Sequence, residues 1–277
     1  MTRLRLEDMA TTASDLQAYD VDLRRKIGID LIGIACGAAN IDQIEFARLA
    51  IATRVAVVPV TLGEGIIEGF SEAIRRIIAH IGFPALVTSK PDVAGIAEAY
   101  ERQCGLILLS DDQDFIALNT MTRKVVSNSK ATGTGYAWGL NMMAGGIRDK
   151  RVLVIGCGPV GCNAAEKLIE LGAHVFVHDL DRVKAHQFAA EMKGRSKMLE
   201  VEDDLDAGLR RFSLILDATP AASIIHADAI DSNTCISAPG VPIGLTPEAL
   251  TKASGRILHD FLEIGVATMA AISLKDV

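Results

Sequence analysis

"VLVIGCGPVG", Val152 to Gly161, decides the fold. An unbroken apolar run is followed at once by glycines at 156, 158 and 161, and then by "CNAAEKLIELGA", whose composition suits a helix. A short β-branched run of this kind is what a strand buried on both faces requires. In the G-x-G-x-x-G spacing, Gly156 permits the tight turn, Gly158 lets phosphates approach the backbone, and Gly161 lets the helix pack close to the strand. The free N–H groups at the helix start then face an anion. The next strand-like run, "HVFVHD", ends in Asp179, about 20 residues past the turn, where an acid accepts hydrogen bonds from ribose hydroxyls and repels a 2′-phosphate. The turn is therefore expected to hold NAD rather than NADP, with Gly156, Gly158, Pro159, Val160, Gly161 and Asp179 at the cofactor.

Working outward from the turn, "LILDAT" and "TCISAPG" continue the series of strands in the order that a doubly wound sheet requires. Ala218, Thr219, Pro220 and Pro239 fall at the carboxyl ends of those strands, where the nicotinamide half of the cofactor should run. The closing segment, "DFLEIGVATMAAISLKDV", reads as a helix that packs back toward a cleft. Toward the N-terminus, "GTGYAWGLNMMAGGI" reads as a helix despite its glycines, and "RDKR" as a hinge. Before it, "VAVVPV", "ALV" and "GLILLS" are three apolar strands. Helical stretches such as "SEAIRRIIAHIG" follow the first two, which predicts a small parallel sheet. The residues from Leu4 to Ile27 carry apolar side chains at helical spacing. The expected architecture is α/β with two domains. Residues 1–148 form a smaller N-terminal substrate-binding α/β domain, and residues 149–277 form a C-terminal Rossmann domain with a doubly wound parallel sheet.

A chain of 277 residues, 49% hydrophobic, has enough apolar material for two cores. Its net charge of -7 and the lack of any long basic run argue against a nucleic-acid partner. No stretch approaches the length of a membrane span and the N-terminus lacks the pattern of a secretory leader, so no membrane is expected and a cytoplasmic location is. Five cysteines without C-x-x-C spacing are expected to be small core residues, and no ligand spacing indicates a metal.

Three groups outside the turn are candidates for chemistry. "TLGEGIIEG" fails the dinucleotide spacing, and its Thr61, Leu62 and Gly63 read either as a backbone-rich wall for a substrate or as a helix-capping turn. "SDDQDF" places Asp111, Asp112 and Asp114 after a strand. Clustered carboxylates in a cleft attract amines, whereas the bland reading is a solvated helix start. In "LHDFLEIG", Asp260 and Glu263 interrupt an apolar segment, and either is a candidate acid, base or amine anchor. His259 beside them reads as structural. Two rival functions stay open at this level: another dehydrogenase of similar architecture, and an NAD-sensing module without chemistry.

In combination, "VAVVPVTLGEGIIEGFSEAI", "SKPDVAGIAEAY", "LILLSDDQDFIALN", "VLVIGCGPVG", "DATP", "SAPGVP" and "DFLEIGVATM" resemble the pyrrolysine synthase family over nearly the whole chain. The resemblance implies an NAD-dependent dehydrogenase whose small-molecule substrate is L-lysine acylated on its ε-nitrogen by 3-methyl-D-ornithine. It implies oxidation of the carbon bearing the terminal amine, loss of ammonia and closure to the pyrroline ring. By the same resemblance Asp111 is an amine clamp with Asp112 beside it, and Asp260 lies near the reacting centre, where the family has a longer Glu. Leu62 stands where the family has a small hydroxyl residue, and Leu4 with the N-terminal helix walls the pocket. A homodimer is admissible as the assembly.

Overall fold

A computed structural model describes residues 15–63, 65–194, 196 and 198–275. Three helices open the described chain: α1 (Leu16–Ile27), α2 (Leu31–Ala39) and α3 (Gln43–Ala52). Each begins at an aspartate, Asp15, Asp30 and Asp42, whose carboxylate accepts backbone N–H groups of the first turn. That arrangement satisfies donors which have no partner within the helix. Of the Leu4–Ile27 helix expected from spacing, residues Leu16–Ile27 are helical, and Leu4 lies outside the described residues.

Five strands, β1 (Val55–Val58), β2 (Ala85–Val87), β3 (Leu106–Ser110), β4 (Phe115–Asn119) and β5 (Val125–Ser127), form the first sheet in the order β2-β1-β3-β4-β5. Helices α4 (Phe70–His80) and α5 (Asp92–Glu101) connect the parallel trio β1, β2 and β3. The sheet is not all-parallel as its first three strands suggest, because β4 and β5 run antiparallel. "SDDQDF" is the reason. It is the turn of a β-hairpin and not the start of a helix, with Asp111 and Asp114 closing it through an Asp111 N–H···O=C Asp114 bond of 2.9 Å.

From β5 the chain enters α6 (Asn128–Met143), which leads to the second sheet. Its strands are β6 (Arg151–Ile155), β7 (His174–His178), β8 (Leu199–Val201), β9 (Leu214–Asp217), β10 (Cys235–Ser237) and β11 (Ile257–Leu258). They are all parallel, in the order β11-β10-β9-β6-β7-β8. This is the strand order of a dinucleotide-binding fold, which switches direction between β6 and β9. Crossovers run through α7 (Pro159–Glu170), α8 (Arg182–Met192), α9 (Leu205–Arg211) and α10 (Pro247–Lys252). The strands β8 and β11, three and two residues long, carry too little pattern to be read from sequence.

The last helix, α11 (Glu263–Leu274), is buried along its whole length. It packs on α6, α2, α4 and β4, all from the first half of the chain. Gly133 and Gly135 of α6 permit these contacts: a Cβ on Gly133 would lie 2.4 Å from the Val160 carbonyl oxygen, and one on Gly135 would lie 2.6 Å from Thr268 Oγ1. Real Cβ atoms do not approach other atoms so closely, so only glycine lets α7 and α11 close on α6. One continuous apolar cluster consequently contains residues from both sheets' layers, from Ile34 and Leu106 to Val154 and Met269.

Candidate active site

A cavity of about 370 Å³ lies where the carboxyl ends of the two sheets face each other. The second half contributes Gly158, Pro159 and Val160 from the glycine turn, Ala218, Thr219 and Pro220 from the loop after β9, and Pro239 from the loop after β10. The first half contributes an apolar wall that includes Leu62, Ile66, Phe70 and Phe115, with Asp111 and Asp112 as its charged members. Ligands of open α/β sheets bind in such a crevice at the strand-order switch.

The turn is built as its spacing requires. Gly156 adopts φ +95°, a conformation that favours glycine, and a Cβ there would lie 2.9 Å from Thr219 Cγ2. A Cβ on Gly161 would lie 1.8 Å from the Gly156 carbonyl oxygen, so the helix start sits directly on the turn. Gly158 differs: an added Cβ would meet nothing within 4 Å, which leaves open space in front of the N-terminus of α7. A pyrophosphate needs that space and that row of N–H donors, and the residues present fit a dinucleotide. Asp179 follows β7, and its Oδ2 accepts the Cys157 N–H at 2.7 Å while Oδ1 accepts the Asp181 N–H at 2.9 Å. Its carboxylate is thereby tied to the glycine turn.

On the opposite wall, Asp111 Oδ1 accepts the N–H groups of Gln113 and Asp114, both at 2.8 Å. The Asp114 and Gln113 amides hold its carboxyl below the ordinary carboxylate range, so it is an anion at neutral pH. Asp112 leans on the glycine loop: a Cβ on Gly63, which has φ +79°, would lie 1.8 Å from Asp112 Oδ2. Leu62 lines the cavity, but Gly63 supports Asp112 from outside the lining, and Thr61 is turned away. The Thr61 N–H and hydroxyl donate to Asp92 at 2.8 and 2.5 Å, which ties the loop to the start of α5.

Asp260 sits behind the cavity wall. Its neighbours Phe261 and Leu262 line the cavity, whereas the Asp260 carboxyl is buried and accepts the Tyr19 hydroxyl at 2.6 Å. Its backbone N–H donates to the Tyr136 hydroxyl, which in turn donates to the Asp260 carbonyl. Burial, and then the Glu263 carboxylate, push the Asp260 carboxyl up to about 8. His259 is structural, with Nδ1 2.7 Å from the Ala238 carbonyl oxygen. All five cysteines are free thiols, and among the described residues no group of His, Cys, Asp or Glu could hold a metal ion. None of the described helices is long and apolar enough to cross a membrane.

Sequence reasoning missed Asn128 and Thr132, which the first two turns of α6 bring to the cavity wall. It also missed Tyr19, the partner of Asp260. A Ser127 N-cap before Asn128 is the one local signal that could have placed a helix start there.

Residues 8–126 match the family described as pyrrolysine biosynthesis protein PylD, N-terminal domain, and residues 129–252 match the alanine dehydrogenase/PNT C-terminal domain. The pyrrolysine synthase of Methanosarcina acetivorans is 32% identical over 270 residues, covering 97% of this chain and 98% of the relative. The chain belongs to the pyrrolysine synthase family. Among solved structures, shikimate dehydrogenase from Aquifex aeolicus superposes with a TM-score of 0.54 at 16% identity, over 81% of this chain and 98% of that one. Quinate dehydrogenase from Corynebacterium glutamicum in complex with NAD gives a TM-score of 0.55 at 12% identity, over 80% and 93%. At such identities the likeness establishes the fold that this member of the pyrrolysine synthase family has: a Rossmann-type sheet preceded by a second α/β layer.

Proposed function

We propose that the chain is an NAD-dependent dehydrogenase acting on the CH–NH2 group at the end of L-lysine-Nε-3-methyl-D-ornithine, and that it forms pyrrolysine. The observation that carries this reading is the cleft itself, an apolar channel with two carboxylates on one wall and an open dinucleotide cradle on the other. Residues 1–148 would hold the substrate and residues 149–277 the cofactor. Asp179 favours NAD over NADP, because a 2′-phosphate would meet a carboxylate already fixed to the turn.

The bound cofactor would supply a hydride acceptor. Everything else falls to this chain's own groups and to the substrate. Asp111 and Asp112 orient the ammonium groups of a substrate that has several, and the apolar wall packs against its methylene chain and excludes water. Asp111 is an anchor and not a proton donor, since the turn amides keep it ionised. The proton lost when the amine becomes an electrophilic imine needs an acceptor that titrates near neutrality. Asp260, raised to about 8, is largely protonated at neutral pH, so it would accept that proton through its ionised fraction, which grows as pH nears 8, and at one remove, through a water or the Tyr19 hydroxyl. Water then adds to the imine carbon and ammonia leaves. The ornithyl α-amine closes on the resulting aldehyde with loss of water, because nitrogen and the four carbons from α to δ make a five-membered ring. A cytoplasmic homodimer belongs to the same reading.

The test is NADH absorbance during incubation of the chain with NAD+ and the acylated lysine, with mass analysis of the product. NADH together with the mass of a cyclic imine is expected. Intact substrate alongside measurable NAD+ binding would remove the substrate assignment.

A further inference from the structure

The side chains that reach the cavity from the loop after β9 do not fix themselves. Asp217, the last residue of β9, is 0% exposed, and its Oδ1 accepts both the Thr219 hydroxyl at 2.7 Å and the Thr219 N–H at 3.1 Å. Its other oxygen, Oδ2, has no partner in hydrogen-bond geometry and is pressed against Gly244, where a Cβ would lie 2.1 Å from it. The Gly244 amide beside it adds to the lowering of this carboxyl. A buried carboxylate with an unsatisfied oxygen opposes folding, and burial pushes this one up to about 6 against the lowering effect of the Thr219 bonds.

The residue it holds is wedged between both loops of the cofactor side. A Cβ on Gly240 would lie 1.9 Å from the Thr219 carbonyl oxygen, and one on Gly156 would lie 2.9 Å from Thr219 Cγ2 and 3.0 Å from the Ala218 carbonyl oxygen. The Ala218 N–H donates to Ile155 at 2.8 Å, which joins the loop to the strand that precedes the glycine turn. Ala218, Thr219 and Pro220 all face the cavity.

We infer that Asp217 is a positioning residue of the cofactor site: its buried carboxylate fixes Thr219, and through it the Ala218–Pro220 wall against which the nicotinamide half of the dinucleotide lies. This rests on the NAD reading above. Asp217 itself touches neither cofactor nor substrate. Its removal should therefore alter how the dinucleotide is held and leave the carboxylate-lined wall that binds the amine unaffected.

Three substitutions reach the link from different sides. Asp217→Ala removes the acceptor, Thr219→Val removes the hydroxyl donor while keeping its shape, and Gly244→Ala drives a methyl group into Oδ2 from a residue that does not line the cavity. Each is expected to raise the KM for NAD+ about tenfold, the order set by one or two lost hydrogen bonds, with the KM for the amine substrate within about twofold of wild type. Asp217→Asn and Thr219→Ser, which retain the acceptor and the hydroxyl, should recover most of the loss. Should Asp217→Ala fail to fold, Thr219→Val and Gly244→Ala still read the link. An unchanged KM for NAD+ in folded Thr219→Val and Gly244→Ala, with wild type binding NAD+, overturns the inference alone. Equal rises in both KM values also overturn it, in favour of a general packing role. Absence of NAD+ binding by wild type overturns the cofactor reading and this inference with it.

Discussion

Asp111 carries two tasks that a pair of substitutions can separate. Its Oδ1 holds the hairpin turn, and its charge faces the cavity. Asp111→Asn keeps an acceptor for the turn and removes the charge. It should lower kcat/KM for the amine substrate by roughly thirtyfold, the value of a charge-assisted contact of about 2 kcal/mol, with the KM for NAD+ unchanged in steady-state assays. Asp111→Ala should lose the turn as well and melt earlier, whereas equal activity in wild type and Asp111→Asn would remove the charge from the mechanism. Asp260 gives a prediction in pH. Its carboxyl is raised from the ordinary 3.8 to about 8, first by burial and then by Glu263. Between those values the folded chain keeps a proton that the unfolded chain has released, so stability should fall as pH rises from about 4 to about 8 and level off beyond it. Urea midpoints across that range should show the decline in wild type and a flatter profile in Asp260→Asn; parallel profiles would refute it. The residue scale is also where sequence legibility divides most sharply. The glycine turn was readable because each task is local, within a few residues of the strand and helix that flank it. The burial of Asp260 was not readable, since its partner Tyr19 lies 241 positions away and nothing in "LHDFLEIG" encodes that meeting.

At the scale of elements, α6 is the joint of the molecule, and its glycines are what make it one. Gly133→Ala would place a methyl group 2.4 Å from the Val160 carbonyl oxygen, which belongs to the backbone of the first turn of α7 and cannot swing aside. A loss of about 1–3 kcal/mol is expected from urea denaturation despite the gain in helix propensity, and a more stable variant would show that the helices are not in contact there. The strands of the second sheet that were read from sequence, β6, β7, β9 and β10, are those buried on nearly all positions. β8 alternates between half-buried and exposed over three residues and escaped notice. The hairpin β3–β4 was misread for a different reason. "DDQD" satisfies the rules for a helix start as well as those for a tight turn, and only the antiparallel pairing of Ile107 with Leu118 distinguishes them. That pairing is a property of the sheet and not of the acids.

For the molecule as a whole, the cavity wall is shared between two layers, so a ligand that bridges them should stabilise both together. NAD+ at about one hundred times its dissociation constant should contribute about 2.7 kcal/mol, seen as a rise of several degrees in melting temperature. NADP+ at the same concentration should contribute much less, and Asp179→Ser should narrow the difference; equal shifts in wild type would undo the assignment of Asp179. The overall architecture was legible because both sheets begin from strong strand-loop-helix patterns, while the degree to which the layers share one core was not. That sharing passes through α11, which is the last described helix along the chain yet fills a seat between α2, α4 and α6. Synthesis proceeds from the N-terminus, so the ribosome completes the entire second sheet before it delivers the segment that closes the first layer. Until then the nascent chain carries an open apolar trough, the kind of surface that chaperones bind, and a ribosome-bound chain stalled before Glu263 should remain protease-sensitive in its N-terminal half even where the glycine turn is already formed.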